Sequence, residues 1–413
     1  MRRLLVHLHR WAGLFTAGFL VVVGVTGSLL AFNVELERIC APQLFAKARP
    51  IEQRLDLATL AQQAELLLPQ AQVLAINMNE PDQAYVVFSP RENPATKRPY
   101  ELEYTEVFID PWSGKILGRR NRGDLSEGIV NLMPFIYLLH YQLALGDVGM
   151  WVVGIVAICW SIDCFVALYL TFPFSLGGFW RRWRRAWAVK RPTSAFRLNF
   201  DVHRASGLWV WPLLFVFAWS GVMMTMRSFY SWPMHHLFPY SAPLPENAST
   251  APKRNLDWRA ALIRGQELMR QEAALNRFTF TELTNLGYDP SNNTYELEVR
   301  SSRDVFRRSP KGGGTSVIFS AESGALINLS MPTGQHLGDT IDSWLAGLHM
   351  ARVFGLPFRI MVSVLGLIIS TLSCTGVYIW WKKREARIFG LGRLSARREA
   401  SFQSTKQVDQ RSS

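Results

Sequence analysis

At 413 residues the chain is long enough for two or three domains, but 49 % hydrophobic residues against 19 % charged lean towards a membrane protein. A formal net charge of +13 would suit a nucleic-acid partner if the charge lined one surface. Instead, basic residues gather at Arg2, Arg3 and Arg10, at Arg181–Arg185 with Lys190, Arg191 and Arg197, and from Lys382 to Arg398. Each cluster flanks an apolar run, so the charge reads as a topology signal and nucleic acid is excluded as a partner.

A spanning helix needs about 20 apolar residues. Four runs supply them: Trp11–Phe32, Trp151–Phe172, Gly207–Met226 and Arg359–Trp381. The first is too long for the core of a cleaved leader, and "SLLAFNVELE" offers no small-x-small cleavage site, so it reads as a retained anchor. With basic clusters before span one, between spans two and three and after span four, both termini are expected in the cytoplasm. Asn33–Met150 and Arg227–Phe358 are then external. Of the 4 cysteines, Cys159, Cys164 and Cys374 lie inside apolar runs and Cys40 stands alone. No CxxC and no CxxCH is present, which leaves neither a disulfide framework nor covalent haem attachment.

The second half restates the first. His9-Arg10-Trp11-Ala12-Gly13-Leu14 opens span one and His203-Arg204-Ala205-Ser206-Gly207-Leu208 opens span three, with Gly27 and Gly221 in register behind them. Outside, "LDLATLAQQAELLL" from Leu55 and "LDWRAALIRGQELM" from Leu256 predict amphipathic helices with Asp56 and Asp257 at their starts. Strand-like runs follow in each half, "AYVVFSP" and "YELEYTEVFI", then "RFTFTEL" and "TYELEVRS". Both segments close on a hairpin that turns at Ser113-Gly114 or Ser323-Gly324. Leu139-His140 before Gly146, and Leu348-His349 before Gly355, repeat ahead of spans two and four. Agreement at this many points predicts a duplication.

Four of the 8 histidines sit on the repeat. His9 and His203 start outward-going helices at the cytoplasmic side; His140 and His349 precede inward-going helices at the outer side. Each pair suits the two axial positions of one haem iron, offered through Nε2 of neutral imidazoles, and facing bundle helices each provide one inward ligand. Without CxxCH such haem would be b-type. Arg10 and Arg204, and Arg352 one helical turn after His349, are expected to meet haem propionates. His7 falls on roughly the opposite helix face from His9. His235, His236 and His336 have no repeat partner; the first two lie in "SFYSWPMHHLFPY", an interface belt or part of a substrate surface. Asp163 is the one carboxylate inside a span. A membrane-buried carboxylate is costly and so is a functional candidate, as a hydrogen-bond partner to another helix or on a proton route.

On these residues the chain resembles the PepSY-associated transmembrane helix family of bacterial inner-membrane proteins. "HRWAGL", "HRASGL", "LLHYQLALGDVG", "LHMARVFGLP" and "GVYIWWKKR" carry the resemblance, from His9 to Lys383. It implies an α-helical membrane protein with α+β periplasmic domains, built as two tandem repeats of transmembrane helix, PepSY-like domain and transmembrane helix. The expected boundaries are helix 1 at 1–32, PepSY-like domain 1 at 33–128, and an interfacial helix with helix 2 at 129–172. A basic cytoplasmic loop at 173–202, helix 3 at 203–226 and PepSY-like domain 2 at 227–335 follow. An interfacial helix with helix 4 at 336–383 and a cytoplasmic tail at 384–413 complete the chain.

The family includes ferric-siderophore reductases with two haems b across four helices, so the resemblance implies electron transfer to a periplasmic Fe(III)–siderophore and release of Fe(II). No GxGxxG follows a strand, which puts the electron source in a cytoplasmic or quinol donor. Trp160, Trp211 and Trp219 fall between the two histidine layers. Two rivals remain at this stage: an anchored sensor whose outer domains bind a peptide or protease, and a metal transporter using Met223, Met224, Met226, Met234 and His235.

Overall fold

The computed structural model describes residues 1–47, 49–50, 53–175, 177–190, 194–241, 254–305 and 314–409. Of the expected 384–413 tail, residues 410–413 lie outside the described residues. Contacts divide the chain into a helical unit (Met1–Ser28, Val152–Trp219 and Val364–Ser413) and a sheet unit (Leu29–Trp151 and Ser220–Ser363).

Helix α1 (Arg2–Leu30) carries the first apolar run, followed by the short α2 (Asn33–Cys40). Helix α3 (Leu57–Leu67) leads into strands β1 (Ala71–Glu80), β2 (Gln83–Pro90), β3 (Glu106–Ile109) and β4 (Ile116–Arg120). Next come α4 (Leu132–Gln142), α5 (Gly146–Thr171), α6 (Phe179–Trp183) in the basic loop, α7 (Ala195–Trp209), α8 (Trp211–Thr225) and α9 (Arg227–Leu237). The order then recurs as α10 (Trp258–Leu275), β5 (Phe280–Asp289), β6 (Thr294–Ser301), β7 (Thr315–Ser320) and β8 (Leu326–Ser330). Helix α11 (Leu337–His349) and α12 (Gly355–Asp409) end the chain.

Among the described residues three helices, α1, α5 and α12 as far as Ile388, are long and apolar enough to cross a membrane. The third expected span is not one helix. It breaks between α7 and α8 with a bend of 70°, and reaches spanning length only as that bent pair. Pro212 is the cause: it has no N–H for the Leu208 carbonyl and its ring crowds that oxygen. Val210 accordingly leaves the helical region at φ −101°, ψ 5°.

In the sheet unit the two halves do not form separate small domains. They share one eight-stranded sheet in the order β4-β3-β2-β1-β5-β6-β7-β8, joined where β1 pairs antiparallel with β5. Helices α3 and α10 pack against it through Leu57, Leu60 and Ala61, and through Trp258, Leu262 and Met269, over Val73, Ile76, Val86, Leu297, Val317 and Phe319. Asp56 and Asp257 cap these helices by accepting from the backbone N–H of Thr59 and Ala260. The hairpin glycines adopt left-handed φ, +68° at Gly114 and +71° at Gly324, as their turns require. Residues 100–105, expected to continue the strand into β3, are not in a strand.

The helical unit packs Leu20, Val156, Cys164, Leu214, Leu365 and Ile369 together, flanked by Trp160 and Trp211. Trp211 also donates to the Cys164 carbonyl at 2.7 Å. Along α8 the rings of Trp211, Phe215 and Trp219 stack in sequence, with interplanar angles of 9° and 13°. Phe172, Phe179, Trp183, Trp187 and Trp209 form a chain of ring contacts in and beside the basic loop, edge-on except for the tilted Phe179–Trp183 pair. Such amphipathic aromatics belong at a membrane–water boundary.

Candidate functional site

In the helical unit, α1 and α7 bring His9 and His203 together with ring centroids 6.4 Å apart and planes tilted by 56°. Each ring is tied back to a different helix through Nδ1. His9 Nδ1 lies 2.9 Å from both carboxylate oxygens of Asp163 on α5. His203 Nδ1 lies 3.1 Å from the Leu372 carbonyl and 3.0 Å from Thr375 Oγ1, both on α12. Helix α12 reaches the ring because residue 376 is glycine; a Cβ there would stand 3.3 Å from His203 Cε1.

In the sheet unit, α4 and α11 bring His140 and His349 to a centroid separation of 6.2 Å, with planes at 67°. His349 Nδ1 is held 2.7 Å from Ser220 Oγ, a fully buried hydroxyl on α8. Burial first, and the neighbouring His140 second, hold the His349 imidazole well below its ordinary pKa. Both short helices end alike: Leu143 and Ala144 after α4, and Ala351 after α11, have φ near +53° before a positive-φ glycine opens the next helix. Helix α11 is fixed from the side by Asp342, which accepts from Tyr230 at 2.6 Å and from Tyr240 at 3.0 Å and pairs with Arg227 at 2.8 Å.

Residues 6–383 match the family model described as PepSY-associated TM region, an interval that contains all four paired histidines. The chain belongs to this family. A comparison with curated proteins found no match. Family membership makes the protein a membrane protein with several apolar helices and an antiparallel sheet domain.

Whether the two pairs suit haem is a question of donors and spacing. Among the described residues no group of three or more His, Cys, Asp or Glu could hold a bare metal ion. Two donors suffice for an iron whose other four positions are filled by a porphyrin. A metal–imidazole nitrogen bond is about 2 Å, so two rings on opposite sides of one iron have centroids roughly 6 Å apart. Aromatic packing covers the same range; ligating rings differ in having Nδ1 tied back to the scaffold. His9, His203 and His349 have that tie, to a carboxylate, a carbonyl with a hydroxyl, and a hydroxyl. The residues fit the group.

The arginines divide. Arg10 lines a cleft of about 360 Å³ with Trp11, Trp380, Lys383, Arg384 and Arg387, a setting suited to carboxylates such as propionates. Arg204 is engaged elsewhere: it donates to the carbonyls of Arg185, Ala186 and Ala188 and pairs at 2.9 Å with the fully buried Asp201. That set of bonds fastens the basic loop to α7. Arg352 does not follow His349 by a helical turn, because α11 ends at His349 and the chain turns at Ala351. His235 stacks on Tyr240 at 4.2 Å and His236 bonds to the Trp232 carbonyl, both exposed. Sequence reasoning missed Ser220 and Thr375. Ser220 sits one residue before the repeat-matched Gly221, but nothing local marks either hydroxyl as a histidine partner.

Proposed function

We propose that the protein carries electrons across a bacterial inner membrane and reduces a ferric siderophore at the periplasmic face, releasing Fe(II). One b-type haem would be held by His9 and His203 and a second by His140 and His349. The supporting observation is that two repeat-matched histidine pairs, each drawn from two helices, lie at 6.4 and 6.2 Å, the spacing of bis-histidine ligation. When bound, haem supplies a one-electron Fe(III)/Fe(II) couple. The chain supplies the rest. Asp163, Thr375 and Ser220 fix the imidazoles; Arg10, Lys383, Arg384 and Arg387 offer positive charge to propionates; and the apolar contacts around Leu214 and Leu365 exclude water.

The substrate chemistry supports the reading. Hard anionic oxygens hold Fe(III) far better than Fe(II), so adding one electron to the chelated Fe(III) loosens the metal. The donor is a cytoplasmic protein or a quinol. In this reading the bent α7–α8 pair is the third of four spans and the two halves are tandem repeats; the basic clusters flanking the apolar runs support a cytoplasmic position for both termini and a periplasmic one for the sheet unit.

The test is to reduce the purified protein anaerobically, add a ferric hydroxamate, and follow both the haem bands and capture of Fe(II) by a ferrous-specific chelator. Reoxidation with one Fe(II) formed per electron lost is the expected result. A protein that stays reduced is not a siderophore reductase, and the sheet unit would then act as an anchored binding module.

A further inference from the structure

The basic loop between α5 and α7 is a folded element fastened to the end of an apolar helix. Helix α6 (Phe179–Trp183) runs on into a 3₁₀ turn at Arg184–Trp187. Trp183 Nε1 donates at 3.0 Å to Thr171 Oγ1, on the last residue of α5, which is long and apolar enough to cross a membrane. Phe172 packs against Phe179 and Trp183, and the Trp187 carbonyl accepts from Trp209 Nε1 at 3.1 Å. Arg204 donates to the carbonyls of Arg185, Ala186 and Ala188, and Ala186 is buried. The aromatic side of the segment is thereby bound to the helical unit.

Its other side is charge. Arg181, Arg182, Arg184 and Arg185 are all exposed. Among the described residues none of these guanidinium groups has an ion pair or a hydrogen bond. No Asp or Glu occurs between Asp163 and Asp201, and Asp201 is taken by Arg197 and Arg204. Large apolar rings are exposed beside the charges, Phe174 at 88 % and Trp180 at 74 %. The Arg2 guanidinium lies 4.0 Å from the centre of the Phe174 ring while donating to the Leu170 and Phe172 carbonyls at the end of α5.

Unpaired cations and bare aromatic rings, both held at the end of a span, match the headgroup layer of a bilayer. Topology alone does not call for this fold, because Lys and Arg contribute alike to orientation and an unstructured loop would serve. Arginine differs from lysine in its planar fork, which meets two oxygens of one phosphate. All four positions are arginine.

We propose that Arg181, Arg182, Arg184 and Arg185 form a binding surface for the phosphate groups of anionic glycerophospholipids, with Trp180 and Phe174 lying at headgroup level. An acidic soluble protein is the rival occupant. The exposed rings and the Trp183–Thr171 bond favour lipid, since they hold the charges where headgroups already lie. The surface does not depend on bound haem, and its failure would leave the electron-transfer reading untouched.

The experiment titrates the full chain in a non-ionic detergent with phosphatidylglycerol, or with phosphatidylcholine of the same acyl chains, and counts bound lipid by native mass spectrometry. The wild type should bind phosphatidylglycerol about tenfold more tightly than phosphatidylcholine. Replacing the four together (Arg181→Gln, Arg182→Gln, Arg184→Gln and Arg185→Gln) should abolish that preference. Replacing the same four with Lys keeps the charge and should still lose most of it, at an unaltered thermal midpoint. The lysine variant carries the test if the glutamine variant does not fold. Inorganic phosphate in large excess should leave the lipid bound. Equal affinity for the two lipids, a preference that survives glutamine, or a lysine variant that matches the wild type would each overturn the proposal. Displacement by inorganic phosphate would overturn it too, by making the surface a general anion site. Binding of poly-glutamate without any preference for phosphatidylglycerol would assign the patch to an acidic protein instead.

Discussion

Gly24 on α1 and Gly366 on α12 meet backbone to backbone: a Cβ on Gly24 would lie 2.6 Å from the Gly366 carbonyl oxygen and equally close to Ser370 Oγ. Close approach through small residues is how helices associate where lipid removes the hydrophobic drive between them. The contact holds α12, which carries Thr375 and Leu372, in the same unit as α1, which carries His9. Gly366→Leu should destabilise the helical unit by about 1–3 kcal/mol through overpacking. Gly13→Ala, at a position where a Cβ meets nothing within 4 Å, should change stability little. Thermal unfolding of both variants in detergent makes the comparison, and equal midpoints would show that the two helices do not depend on this crossing.

Ser220 offers a cleaner cut at the second pair. Ser220→Ala removes a partner of His349 Nδ1 at a position that is already fully buried. Loss of such an outer partner weakens metal binding by about 10–100-fold. Dilution or haem-competition assays should show one haem leaving more readily, with the His9 pair unaffected. If both haems are retained at wild-type affinity, the hydroxyl does not hold the ligand.

A third expectation concerns the sheet. Burial first, then the carboxylates of Glu296 and Asp304, push the Glu298 carboxyl up to about 8 from an ordinary value of 4.5. Between those values the unfolded chain has released a proton that the folded chain keeps. The unfolded state is therefore favoured more as pH rises, and stability declines across that window. Glu298→Gln binds no such proton in either state. Its unfolding midpoint should fall less than that of the wild type between about pH 5 and about pH 8. Parallel curves for the two proteins would mean that Glu298 is charged in the fold.

The caps supply a fourth. Asp257→Ala should cost about 1 kcal/mol by leaving the Ala260 N–H without its acceptor. Asp56→Ala should cost more, because Asp56 also accepts from Thr59 Oγ1 and pairs with Arg259 of the other half at 2.9 Å. Denaturation of the two variants ranks them, and an Asp257→Ala variant that loses more than Asp56→Ala would contradict the pairing between halves.

What the sequence made legible was whatever repeats or punctuates locally. Asp56 and Asp257, Gly114 and Gly324, and the four histidines all stand at fixed offsets from their neighbours, and each occupies the expected cap, turn or facing position. Strand β1 was missed because register shifts between Val73 and Ala75 and again between Asn77 and Glu80 disturb the period of two that marks a strand. With β1 unseen, its pairing with β5 and the single sheet were unseen too. The break at Pro212 was written in the sequence, but a hydropathy run averages over one proline. Asp163 was marked by its cost in an apolar run, yet its partner His9 lies 154 residues away, and no local pattern encodes a contact at that distance. The same holds for Thr375 and His203.

The most direct test of the central claim is haem stoichiometry by dithionite-reduced minus oxidised spectra of the purified wild type, His203→Ala and His349→Ala. The account predicts a b-type spectrum with two haems per chain in the wild type and one in each variant, the residual spectra of the two variants summing to that of the wild type. A folded wild type without haem, even when expressed with haem supplied, or variants that both retain two haems, would contradict it.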